Sequence, residues 1–212
     1  MGTYNNGVLG SFSGKVGTVV GSQWRGKQVM RSVPTASKKA PSAAQLQQRA
    51  KFSFALRFLN PIKGLLSITF GDNTGSKTPF NNALSYHLKE AITVTDTGFE
   101  LLYSKVLIGM GGLCGISNAV VTHSNPTTLS LTWQNNSNEG LAYPNDSLIV
   151  IAYAPQLEAF EFFIECSLRE LSQCELVFPE HFQGHTLQLW ATFNNATKVL
   201  SATSTYLGAV VL

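Results

Sequence analysis

The sequence predicts a mainly β protein: an N-terminal β-hairpin and two helices, followed by an antiparallel β-sandwich. Three observations carry this. From Thr93 onward, short runs of alternating or continuous apolar residues follow one another at nearly even spacing, separated by Asn, Gly, Pro and Ser. Only two segments combine helical spacing with a cap. The composition, 44% hydrophobic with 18 glycines and only 13% charged residues, supports a sizeable core in a β-and-turn vocabulary. That charged share is about half the usual 25% or so.

The first element expected is a hairpin over residues 14–33, where Val16, Thr18 and Val20 alternate with Gly17, Val19 and Gly21, and alternation resumes after Gly26. Such a ribbon buries little of itself and must pack on something, in its own subunit or the next. The Pro/Ser/Ala/Lys stretch SVPTASKKAPSAAQ then reads as an extended arm. Ser42 is an N-cap with Gln45 as its capping-box partner. Leu46, Arg49 or Ala50, Phe52 or Ser53 and Leu56 follow at helical spacing, widened by Phe54, Phe58 and Leu59, and Pro61 marks the end. This helix should be basic outside and aromatic inside. Residues 65–70 could be a further turn or a short strand. Thr78 caps a second helix with Pro79 in its first turn, through Ile92.

Strands are then expected at 99–109, 118–124, 128–135, 147–155, 161–168, 174–179, 186–195 and 202–212. Trp133 sits where a core tryptophan would pack, and the last two runs have the paired pattern that closes an immunoglobulin- or fibronectin-like sandwich. No cysteine is placed for the inter-sheet bond of an antibody domain. The expected domains are therefore a basic N-terminal region, 1–95, and a sandwich, 96–212.

Charge is unevenly spread. No Asp or Glu precedes Asp72, while ten Lys and Arg do; the remainder holds five basic and twelve acidic residues, so +10 and −7 sum to +3. Such a split means that the basic part meets a polyanion, that it meets the acidic part of a neighbouring copy, or that it is a solvated arm. Trp24, Arg25, Lys27, Arg31, Lys38 and Lys39 are the candidate interaction residues of the arm, with Glu158, Glu161 and Glu165 as an acidic counterpart. Trp24 among cations also suits nucleic acid, although no helix-turn-helix, RNP pair, KH loop or zinc finger is present.

Nothing points to an enzyme, a cofactor, a metal or a small-molecule substrate. Gly71–Thr78 sits where a phosphate-binding loop belongs, but Ser76 replaces the glycine required before the lysine. In Gly109–Gly115 the third glycine of a dinucleotide fingerprint falls on Cys114. His181 and His185 have metal-like spacing with Gly184 between them, which favours a loop. Cys114, Cys166 and Cys174 lie in apolar surroundings that suit inert thiols, although the latter two could face each other across a hairpin. The glutamates from 158 to 170 alternate with bulky apolar residues, as on an exposed strand face. No apolar run reaches the ~20 residues of a membrane helix, so membrane insertion is not expected. No basic n-region precedes an apolar stretch, so cytoplasmic synthesis without a signal peptide is expected. A virion-like or extracellular assembly stays open as the destination.

The order Gly-Lys-Val-Gly…Trp-Arg-Gly…Arg-Ser…Pro…Gln-x-x-Gln-Arg, with FNNALSYHLKEAI and the closing STYLG, resembles a Bacteroidota protein family of unknown function over essentially the whole chain. That resemblance implies no catalytic residue. The N-terminal order is also similar to modules of phage- or prophage-type structural genes, which implies a phage-derived assembly protein. The function expected is that of a non-enzymatic, self-assembling structural protein whose basic region docks on a neighbouring subunit. The alternative is a binding module, for nucleic acid through the arm or for glycan through the sandwich.

Overall fold

In the computed structural model, residues 3–4, 10–24, 26–35, 40–71, 77–96 and 98–212 are described. The chain divides into two compact units, Met1–Gln45 and Leu46–Leu212. The boundary expected at 95/96 falls inside the second of them.

The first unit is a four-stranded antiparallel sheet in sequential order: β1 (Thr3–Tyr4), β2 (Phe12–Val16), β3 (Val19–Trp24) and β4 (Lys27–Ser32). The segment read as one hairpin is three strands, because Gly17, at φ +59°, and Thr18 turn the chain between Val16 and Val19. Val19 pairs with Ser32 and Trp24 with Lys27 across the next turn. Gly21 is required where β2 crosses β3: a Cβ there would lie 2.2 Å from the Phe12 carbonyl oxygen. Every residue of β4 is exposed.

Helix α1 (Ala43–Leu59) opens on the expected capping box, with Ser42 N–H donating to Gln45 Oε1 and Gln45 N–H to Ser42 Oγ. Only Ala55, Phe58 and Leu59 of this helix are buried. Leu46 and Phe52, expected on the inner stripe, are exposed.

Residues 63–69 form a short helix, α2 (Lys63–Thr69), which decides the segment left open between turn and strand. Helix α3 (Pro79–Glu90) is capped by Thr78 Oγ1, which accepts from Asn81 N–H at 3.3 Å. A two-stranded ribbon follows, β5 (Ile92–Thr95) and β6 (Gly98–Leu101). The strand expected over 99–109 stops at Leu101. There the Leu102 N–H donates to the Ala91 carbonyl, and a 3-10 turn, Tyr103–Lys105, leads the chain away.

The remaining strands form two antiparallel sheets. One has the order β10 (Ala159–Leu168), β9 (Ser147–Ala154), β12 (Thr186–Asn194), β13 (Thr205–Val211). The other has the order β11 (Gln173–Val177), β8 (Thr128–Gln134), β7 (Ser117–Asn125). Leu129, Leu131 and Trp133 of β8 and Leu176 of β11 pack against Leu148, Val150, Leu189 and Phe193, which makes this a β-sandwich. The opposite face of β9 and β12 is covered too. Ile149, Ile151 and Trp190 join Phe58, Leu59, Ile62, Leu66, Phe70 and Leu84 of the helices in a second core. Residues 46–95 are thus a layer of the sandwich unit, and β9 and β12 are buried on both faces, as their near-continuous apolar runs require.

The glycine-rich run 109–115 lies alongside residues 201–204. Ser204 N–H donates to the Gly109 carbonyl, and Thr203 Oγ1 to that of Gly111. A Cβ on Gly111 would sit 2.2 Å from the Ser201 carbonyl oxygen, whereas one on Gly112 meets nothing within 4 Å. Gly111→Ala is expected to lose about 1–3 kcal/mol in urea unfolding and Gly112→Ala much less, because only the first forces two backbones apart.

His87 is buried in the helical layer. Its Nδ1–H donates to the Ala83 carbonyl at 2.7 Å, and its Nε2 accepts from Leu107 N–H at 3.3 Å. Burial holds its pKa below the usual value, and the bond to the Ala83 carbonyl opposes this less strongly. The unfolded chain therefore binds the proton more readily. Stability from this group is complete above about pH 6.5 and falls as pH drops below that toward the folded pKa. Unfolding midpoints are expected to decline from about pH 7 to about pH 5, with a shallower decline in His87→Gln. Equal slopes in the two proteins would show that His87 does not carry the effect.

Candidate interaction site

Three segments far apart in sequence build one groove in the second unit. Phe54, Arg57 and Phe58 come from α1, Phe99 to Tyr103 from β6 and the turn after it, and Tyr153 to Phe160 from the β9–β10 hairpin. The groove has a volume of about 280 Å³. Its floor is a cluster of rings. Tyr153 and Phe160 lie 4.6 Å apart; Phe58 stands edge-on to Tyr153 at 5.2 Å and is equally close to Phe160. Phe54 and Phe99 form one wall at 6.0 Å. Tyr103 connects the floor to Trp190, whose indole N–H donates to the Tyr103 carbonyl at 3.1 Å.

Polar groups mark the mouth. Arg57 Nη2 and Glu158 Oε2 are 2.5 Å apart, both largely exposed. Glu100 is exposed as well and has no ion-pair partner among the described residues. Burial raises the Tyr103 phenol above its ordinary pKa, with Tyr153, Glu100 and Tyr206 adding to it. Burial also raises Tyr153; Glu158 adds to this and Arg57 opposes it. Both phenols therefore stay protonated near neutrality and offer O–H donors. Aromatic faces beside carboxylates suit an aromatic side chain or an organic cation.

The expected interaction residues fall on both units. Trp24, Lys27 and Arg31 are exposed on β3 and β4. Arg25, Lys38 and Lys39 lie outside the described residues, as does most of the Gly71–Thr78 loop. Glu158, Glu161 and Glu165 gather on β10 and the turn before it, at a sheet edge. Two of them are already paired within the chain: Glu158 with Arg57, and Glu165 with Lys198 at 2.5 Å. Glu158 (φ +50°) and Glu165 (φ +56°) are left-handed, the second at a bulge between Phe163 and Ser167. Trp133 and Trp190 are buried, so neither offers a platform for a sugar.

All three cysteines are free. Cys174 Sγ donates to the Cys166 carbonyl and Cys166 Sγ to the Leu148 carbonyl, each at 3.5 Å; the neighbouring Cys174 thiol, with burial, pushes the Cys166 thiol well up. Among the described residues no three His, Cys, Asp or Glu converge as metal ligands, and no helix is long and apolar enough to cross a membrane. His181 is exposed and stacks on Phe182, while the His185 N–H donates to the Phe182 carbonyl.

The fold and groove define a mainly β sandwich protein with a helical layer on one face and an open aromatic cleft beside it. The chain belongs to DUF6266, a family of unknown function whose model matches residues 11–208. No curated protein matches it. Among solved structures it is similar to the fibronectin type III domain of the human collagen alpha-1(XX) chain. That likeness has 14% identity and a TM-score of 0.32, over 49% of this chain and 88% of that one.

Proposed function

We propose that this protein is a non-enzymatic structural subunit that self-assembles, the basic N-terminal unit of one copy docking on the acidic body of another. The observation that carries the reading is the character of the first unit. Among its described residues only Gly21 is buried, while Val16, Trp24, Val29 and Met30 are 41–69% exposed. A thin sheet of this kind gains its stability from what it is laid against. Charge supports the same direction: residues 1–45 hold six basic and no acidic residues, and residues 46–212 hold nine and twelve, so +6 and −3 sum to +3. On this reading the immunoglobulin- or fibronectin-like sandwich is a building block rather than an enzyme. On this reading the likeness of the N-terminal residue order to phage- or prophage-type structural modules favours a phage-derived origin.

The test is size exclusion with light scattering on nuclease-treated full chain at low and high salt. An assembly far above 23.0 kDa that shrinks at high salt is expected, and Arg25→Glu with Arg31→Glu is expected to abolish it with the circular dichroism unchanged. A 23.0 kDa monomer at both salts overturns the reading. Binding of single-stranded nucleic acid that weakens steeply with salt, without self-association, would replace it by the nucleic-acid alternative.

A further inference from the structure

We propose that the aromatic groove is the receptor for the tip of the β3–β4 hairpin of a second copy, with Trp24 stacking among its rings and Lys27 reaching Glu100 and Glu158. This rests on the assembly reading above and names the two surfaces that meet. The tip has the shape for it. Trp24 and Lys27 are cross-strand neighbours at the end of a ribbon, Trp24 is 55% exposed, and Gly26 before Lys27 has a φ of +77°. The groove has the chemistry for it. Half-buried Phe54, Phe99, Tyr103, Tyr153 and Phe160 present ring faces and edges to solvent, and two protonated phenols can donate hydrogen bonds. Of its two carboxylates, Glu158 is engaged by Arg57 and Glu100 has no ion-pair partner among the described residues. A tryptophan anchor with Lys27 as its cross-strand neighbour therefore meets a ring-lined cleft flanked by a carboxylate that has no ion-pair partner among the described residues, the arrangement in which interface residues contribute most to affinity.

The experiment mixes unlabelled and isotope-labelled full chain, joins carboxylates to amines with a zero-length carbodiimide, and reads the links by mass spectrometry. Alongside it, the association constant is measured for Phe99→Ala, Glu100→Lys, and Glu100→Lys combined with Lys27→Glu. Expected are labelled-to-unlabelled links from Lys27 to Glu100 or Glu158. Each single variant should weaken association about tenfold, and the charge-swapped pair should restore most of it. Assembly that persists unchanged in Phe99→Ala and Glu100→Lys, or Lys27 links formed only within one copy, overturns the groove as receptor and leaves self-assembly standing. A monomer with no link between copies overturns both.

Discussion

Replacing Arg169 by alanine is expected to cost the second unit about 3–5 kcal/mol, a large share of the roughly 5–15 kcal/mol that holds a domain of ordinary stability together. The guanidinium is wholly buried. Its Nε–H donates to Asp146 Oδ2 at 3.0 Å, its Nη1 to Asn136 Oδ1 at 2.5 Å, and its Nη2 to the Cys114 carbonyl at 2.8 Å, while its plane lies 3.9 Å from the centre of the Phe193 ring. One side chain thus ties together the 114–115 segment, the loop after β8 and the start of β9. Removing it strands a fully buried Asp146 carboxylate, which is where most of the loss arises. Arg169→Lys keeps the charge but not the planar fork and should recover only part of the loss. Arg169→Met with Asp146→Leu should recover more, because no charge is then left unpaired. Urea midpoints for the four proteins check this, and a single Arg169→Ala loss below about 1 kcal/mol would sink it.

Trp190→Ala is expected to be nearly as severe, at about 3–5 kcal/mol. The ring is fully buried between β12 and the helical layer, 5.7 Å from Tyr206 and 6.2 Å from Tyr103. Its removal opens a cavity and leaves the Tyr103 carbonyl without the indole donor. Trp190→Phe retains most of the packing and loses the hydrogen bond, so about 1–2 kcal/mol is expected. Because Tyr103 also lines the groove, Trp190→Ala should alter the groove even under conditions where the unit stays folded. The check is the pair of unfolding curves, together with the shift of Tyr103 ring resonances in the Trp190→Phe protein.

Much of the strand layout was legible in the sequence, because alternation over Thr128–Gln134 or Gln173–Val177 is a local signal read from side chains a few residues apart. The same holds for the caps: Ser42 with Gln45, and Thr78 ahead of Pro79, are written within three residues of one another. What the helices pack on was harder to read. The clue lay in SLIVIAYA and TLQLWATF, which are apolar on both faces and so need a layer on each side. Taking them as ordinary half-buried strands places the helices in a separate domain. Arg169 had a signal too, as the only Lys or Arg between Lys105 and Lys198, in a stretch otherwise made for burial. The groove had none. Its walls come from residues about 40 to 100 positions apart, and nothing in Phe54, Phe99 or Phe160 distinguishes a cleft wall from a core residue until the chain is folded.

Burial of β9 and β12 on both faces also makes the second unit hard to take apart. Ile149, Ile151 and Trp190 need the helical layer as much as Leu148, Val150 and Leu189 need β8 and β11. Deleting residues 46–95 would turn a central sheet into a greasy surface, and deleting β7 and β8 would do the same on the other side. The two cores share a backbone wall, so denaturant should meet one cooperative transition here rather than a peeling of layers. An evolving chain can lengthen its loops freely but cannot shed either coat.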